Sequence, residues 1–209
     1  MTILALEFSS ARRSVALARG GTVLAEAAVQ TDARGTDAFG LIEKVLAETK
    51  ISRQEIDVVA VGLGPGSYTG IRAAIAVAQG WQLATGVKLL GVSSADAIAA
   101  QAQAEKIFGR VNMLIDAQRG EFYLSAWEIS AVERKEISPL KIVPSAEKTA
   151  KENAGEFCVG PEAARLIFPS AAMIARLAAG RNNFIAGEKL EPIYLRETNF
   201  VKAPATEKI

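Results

Sequence analysis

The sequence predicts an α/β protein of two similar lobes, each a mixed sheet laid down in the order β-β-β-α-β-α. Three strand-like segments in succession open the chain, strand and helix patterns alternate after them, and the same succession restarts near residue 106. With 209 residues, 50% of them apolar, the chain has material for one good core or two small ones. A division into lobes at 1–105 and 106–209 suits that length better than one long irregular domain.

The elements follow in order. Thr2 to Phe8 is an apolar run with strand character, and Arg13 to Arg19 and Thr22 to Val29 flank Gly20-Gly21, a hairpin turn signal. After Thr36, a fitting N-cap, Phe39, Ile42, Val45 and Leu46 recur at helical spacing and predict an amphipathic helix ending near Lys50. Asp57 to Gly62 reads as a buried strand, Gly70 to Thr85 as a helix and Lys88 to Val92 as a strand. Ser93 or Ser94 caps an alanine-rich helix running to Lys106. In the second half, Val111 to Asp116, Glu121 to Ile129 and Ile137 to Val143 read as strands. Ser145 to Asn153 reads as a helix, Glu156 to Val159 as a strand, and a further helix follows Pro161. Pro169, Pro192 and Pro204 punctuate a tail whose last residues are expected to be loose.

Charge and composition exclude several functions. Lys plus Arg is 24 against 23 for Asp plus Glu, and a net charge of +1 exerts no long-range pull on nucleic acid or an anionic membrane. The Arg12-Arg13 pair and the loose set Arg196, Lys202 and Lys208 read as solvated surface. No charged-then-apolar leader precedes Ile3 to Phe8, and the longest apolar stretches fall short of the roughly 18 residues of a membrane span, so a soluble cytoplasmic protein is expected. The single Cys158 cannot form an internal disulfide and reads as a buried thiol. With no histidine in the chain, histidine-based triads and histidine-ligated zinc proteases are excluded.

Gly62-Leu63-Gly64-Pro65-Gly66-Ser67-Tyr68-Thr69-Gly70-Ile71-Arg72 is the most informative segment. A glycine-rich turn at a helix start can present free N–H groups to an anion. No lysine follows the last glycine and Thr69 fills the third glycine position of a dinucleotide fingerprint, so neither a P-loop nor that fingerprint is formed. The plainer reading is a tight strand-to-helix turn with Ser67 or Thr69 as N-cap. The helix after it is apolar nearly all round, which asks for cover on both sides, from its own lobe or from another chain. Glu7, with Ser9 and Ser10, and Asp116 end strands in the two halves. They are either cleft carboxylates for a nucleotide-bound metal or turn carboxylates bonding nearby backbone.

Taken together, LALEFSS, GLGPGSYTGIR, GVSSADAIA, DAQRGEFY and EPIYLR resemble, in order from residue 4 to residue 196, the TsaB (YeaZ) family. The resemblance implies an RNase H-like or actin-like (ASKHA) fold for each lobe. It also implies a non-catalytic role in making threonylcarbamoyl-adenosine in tRNAs that read ANN codons. A related TsaD-like subunit carries the metal and the transfer, a TsaE-like ATPase assists, tRNA is contacted indirectly, and the chain pairs with itself when alone. The implied docking residues are Thr36, Phe39, Gly40, Glu43, Gly70, Ile71, Arg72, Ala74, Ile75, Ala78 and Gln79. A nucleotide or anion, ATP or ADP with magnesium, would meet Glu7, Ser9, Gly64, Gly66, Ser67, Thr69 and Asp116, in complex with the partner. No catalytic or metal-ligating residue is implied. Glu7 stands where the resemblance leads one to expect Asp, and Arg34-Gly35-Thr36-Asp37-Ala38 stands where relatives show a histidine followed by Thr or Ser. Two other functions stay open on the residues: a nucleotide-dependent phosphotransferase using Glu7, Asp116 and the Gly64 to Gly70 turn, and a glycoprotease-like peptidase.

Overall fold

The structure is a computed structural model that describes residues 1–30 and 37–196. Strands β1 (Thr2–Glu7), β2 (Arg12–Arg19) and β3 (Thr22–Gln30) form an antiparallel meander. Gly20 and Gly21, at φ of 59° and 84°, supply the left-handed backbone that a two-residue hairpin turn requires. After helix α1 (Ala38–Thr49), strand β4 (Val58–Gly62) joins β1 in parallel, and helix α2 (Tyr68–Thr85) is the crossover to the parallel strand β5 (Lys88–Val92). The sheet order is β3-β2-β1-β4-β5.

Helix α3 (Ser94–Ala104) leads into a second sheet of β6 (Gly109–Asp116), β7 (Glu121–Ile129), β8 (Arg134–Pro144), β9 (Cys158–Gly160) and the two-residue β10 (Arg165–Leu166), with α4 (Ser145–Asn153) between β8 and β9. Its order, β8-β7-β6-β9-β10, repeats that of the first sheet, and again the first three strands are antiparallel and the last two parallel additions. The repeat predicted from the sequence is therefore one of topology, in two sheets of the RNase H-like order.

The helix expected after Pro161 is displaced. A turn and β10 come first, and α5 (Ala171–Ala178) begins only after Pro169, capped by the Ser170 hydroxyl, which accepts from Met173 N–H at 3.2 Å. Nor does α5 cover the second sheet. Its Ala171, Met173, Ile174, Ala175 and Ala178 pack against Ile3, Ala5, Ala16, Ala18, Val58, Ala60, Leu90 and Val92 on the first. The tail of the chain thus returns to the first lobe, because that sheet, apolar on both faces, needs cover on both. Its opposite face carries α1 over β2 and β3, and α2 over β4. Helix α3 lies between the lobes, with Ala97 and Ala100 toward α5 and Ala95, Ile98, Ala99 and Ala102 toward β6 and β7.

Caps fix the helix ends. The α1 N-cap is Asp37, one residue beyond the expected Thr36, its Oδ1 accepting from Gly40 N–H at 2.9 Å; Thr36 itself, with Arg34 and Gly35, lies outside the described residues. Ser93, rather than Ser94, caps α3. Arg13, expected on the surface, is buried, since strand alternation turns it inward while Arg12 points to solvent. Burial pulls its guanidinium pKa down. Cys158 is a buried free thiol whose pKa burial pushes up, as read from the sequence. Lys202, Lys208 and Pro204 lie outside the described residues, and among those described no helix is long and apolar enough to cross a membrane.

Candidate functional site

The glycine-rich turn is pressed onto the end of β1. Ser67 N–H donates to Ser9 O at 2.7 Å, Gly64 N–H to Ser94 Oγ at 3.1 Å, and Gly70 N–H to Ser67 Oγ at 3.3 Å, making Ser67 the N-cap of α2. Three amides that an anion would need are therefore already committed inside the protein. The glycines are required for close approach. A Cβ on Gly70 would lie 2.0 Å from Phe8 O, and one on Gly66, at φ 146°, would lie 2.1 Å from Ser9 O. Of the segment's other candidates, Thr69 is exposed on the first turn of α2.

Glu7 is fully buried beneath this turn. Its Oε1 accepts from Ser9 N–H at 2.7 Å and its Oε2 from Ser94 Oγ at 2.8 Å. Burial raises its pKa, and the bonds from Ser9 and Ser94 oppose that rise. Ser94 N–H donates in turn to Gly64 O at 2.8 Å, so the carboxyl, the serine and the turn form one closed network. A sealed carboxyl of this kind organises backbone and presents no open ligand position.

Asp116 takes the turn role in the second lobe, accepting from Gln118 N–H at 2.8 Å. Its own N–H donates to Glu162 Oε2 at 3.0 Å. Among the described residues, no three acids or cysteines gather to hold a metal ion, and neither Glu7 nor Asp116 belongs to such a group. Glu162, which holds that Asp116 N–H, is itself strongly perturbed. Burial lifts its pKa to about 7 from 4.5; the Asp116 N–H opposes the shift and the Asp116 charge adds to it. The folded protein holds this proton more tightly than the unfolded chain does. Its contribution to stability is therefore complete below about pH 4.5 and is lost as pH rises through about 7. Glu162→Gln should flatten that decline, improving stability near pH 8 relative to pH 5 by roughly 1–2 kcal/mol, measured by urea unfolding at the two pH values.

The second feature is the outer side of the helices on the first sheet. The sequence left open whether α2 is sandwiched in its own lobe or covered by another chain, and the structure divides it. Gly70, Ile71, Ala74, Ile75 and Ala78, all expected to dock a partner, are buried against their own sheet. They hold the helix down and reach nothing outside. Gln79 is half-buried and donates to Gly187 O at 2.7 Å. Of the expected set, Phe39, Gly40, Glu43 and Arg72 are at the surface. Outside the expected set, Tyr68, Ala76, Gly80, Leu83 and Ala84 of α2 are also exposed, with Leu83 89% accessible. At helical spacing they give α2 a largely apolar outer side of small and aromatic side chains, and Phe39, 67% exposed, stands on α1 over the same face of the sheet.

Two lobes of one repeated topology, with a glycine-rich turn sealed onto a buried acid, define a two-lobed protein of the actin-like ASKHA fold. The family model for tRNA N6-adenosine threonylcarbamoyltransferase (TsaD) matches residues 36–153, more than half of the chain. The chain is 28% identical to the tRNA threonylcarbamoyladenosine biosynthesis protein TsaB of Haemophilus influenzae, covering 99% of both chains. It is 33% identical to the Escherichia coli TsaB over 61% of this chain and 55% of that one, so it spans about half the length of that relative in the match. The solved structure of YeaZ from Pseudomonas aeruginosa superposes with a TM-score of 0.77 at 25% identity, covering 93% of this chain and 99% of that one. The chain belongs to the TsaB (YeaZ) family, within the wider group that the threonylcarbamoyltransferase model describes.

Proposed function

We propose that this chain serves threonylcarbamoyl-adenosine formation in tRNAs reading ANN codons as a non-catalytic subunit. It docks a TsaD-like enzyme through the outer face of α1 and α2, and the transfer takes place on that partner. The observation that carries the reading is a contrast within the first lobe. Its buried acid and glycine-rich turn are tied together through Ser9 and Ser94, whereas its helix layer presents Phe39, Tyr68, Ala76, Gly80 and Leu83 to solvent. Apolar burial at about 25 cal/mol per Å² drives such a pairing, offset by the loss of translational and rotational freedom.

The same face pairs two copies of the chain when no partner is present. A TsaE-like ATPase joins the assembly, tRNA is engaged through the partner, and ATP or ADP with magnesium enters only in the assembled complex. The names of the relatives support the pathway. A phosphotransferase built on Glu7 and Asp116 finds no support in carboxylates already bonded to Ser9, Ser94 and Gln118. One Pseudomonas aeruginosa structure is described as similar to peptidase YEAZ, but here the only cysteine is buried and no histidine exists to activate a nucleophile.

The test is reconstitution with the TsaD-like and TsaE-like proteins of the same genome, the threonylcarbamoyl donor and unmodified tRNA. Modification should be absent with this chain alone and should fall at least tenfold when it is omitted from the mixture. Modification by the chain alone, or an unchanged rate without it, contradicts the proposal.

A further inference from the structure

We propose that Glu191 to Arg196 is a strap that crosses the mouth between the two lobes and fixes their closure. The chain after α5 is first bolted to the first lobe. Ile185 N–H donates to Leu89 O at 3.0 Å, Gly187 N–H to Gln82 Oε1 at 2.9 Å, and Leu190 is 2% exposed in the core under α2. Ile193 N–H then donates to Leu63 O at 2.8 Å, at the start of the glycine-rich turn, and the Tyr194 ring stacks on Tyr68 with centroids 5.4 Å apart. Arg196 Nη2 reaches the other lobe, donating to Ala117 O at 3.0 Å, in the turn after β6, and pairing with Glu121, the first residue of β7.

Between the last first-lobe backbone anchor, Ile193, and the second-lobe anchor, Arg196, lie three residue steps. They span at most roughly 10 Å when fully extended. The lobes therefore cannot part along this edge without breaking one of the two anchors. The strap runs between the two turns that carry the strand-end acids, the glycine-rich turn beside Glu7 and the turn after Asp116. Tyr123, 7% exposed, lies two residues along β7 from Glu121; its pKa is raised chiefly by burial, and the Arg196 charge opposes the rise. The EPIYLR segment is thus explained by what it ties together, independently of any docking to a partner.

The test is the inter-lobe distance distribution in the full chain, read by pulsed electron paramagnetic resonance. Spin labels are placed at Lys44→Cys on α1 and Val132→Cys at the exposed tip between β7 and β8, in a Cys158→Ala background diluted with unlabelled chain. With the strap intact, one narrow distribution is expected. Tyr194→Ala with Arg196→Ala should at least double its width toward longer distances, and Glu121→Gln, which cuts the same tie from the other lobe, should broaden it partway. A first-lobe pair, Arg12→Cys with Lys44→Cys, should stay unchanged in every variant. An unchanged inter-lobe distribution overturns the strap. Equal broadening of the first-lobe pair also overturns it, since the tail would then be a general stabiliser of the fold.

Discussion

Ala76→Arg is expected to weaken pairing with the TsaD-like subunit severely while leaving the free protein folded. Ala76 is exposed midway along α2, one turn from Arg72 and one from Gly80. On an isolated helix surface the exchange is nearly neutral, because arginine and alanine have similar helix propensities, and the free chain should melt within about 1–2 °C of the original. In the paired state the small side chain allows close helix approach, and an arginine there is either a steric block or an unpaired charge removed from water. The loss should be about 2–4 kcal/mol, a fall in affinity of roughly 30- to 1000-fold. Calorimetric titration against the partner reads it, and an unchanged affinity would move the docking surface elsewhere. The buried neighbours Ala74 and Ala78 face the sheet. Arginine there should instead unfold the protein, which separates the two sides of the helix.

Gly70→Ala and Gly66→Ala should each cost about 2–4 kcal/mol of stability, although each adds one methyl group. At Gly70 the new carbon would meet the Phe8 carbonyl oxygen at 2.0 Å, and at Gly66 the Ser9 carbonyl oxygen at 2.1 Å. Both obstacles are backbone, so relief requires separating the turn from β1. That movement disturbs the Ser67 to Ser9 bond and, through Ser94, the partners of the buried Glu7. For a chain of this size the melting temperature should fall by roughly 4–16 °C. Gly80→Ala supplies the opposite sign. A Cβ there meets nothing within 4 Å in a helical position, and the change should stabilise the free protein by about 0.5–1 kcal/mol. A melting temperature of Gly70→Ala equal to that of the unaltered chain would contradict the packing described for the turn.

The elements were legible wherever a period or a punctuation mark was strong. The Gly20-Gly21 hairpin, the Ile42, Val45, Leu46 stripe of α1 and the strand Lys88 to Val92 all follow from local chemistry. The orientation of α2 was not legible, because a helix apolar on every side carries no phase. Ile71 and Ile75 face the sheet while Leu83 faces water, and hydrophobicity alone does not tell them apart. Arg72, the one charged residue of α2, is exposed on the outer side. The sealed state of Glu7 had a signal in the sequence. It shares strand parity with Ile3 and Ala5, both in the core, and its neighbours Leu6 and Phe8 are buried too, so no face of β1 is wet. The return of α5 to the first sheet and the crossing of the tail at Ile193 and Arg196 are long-range choices. They depend on which sheet face lacks cover, a property of the assembled lobes rather than of any local run.

Pairing of this chain with a TsaD-like subunit is measured most directly by the mass of the mixture. Light scattering after gel filtration of this chain with its TsaD-like subunit should give a complex containing both, with the self-paired form of this chain diminished as the partner is added. Two separate peaks at every ratio, each of its own mass, would contradict it.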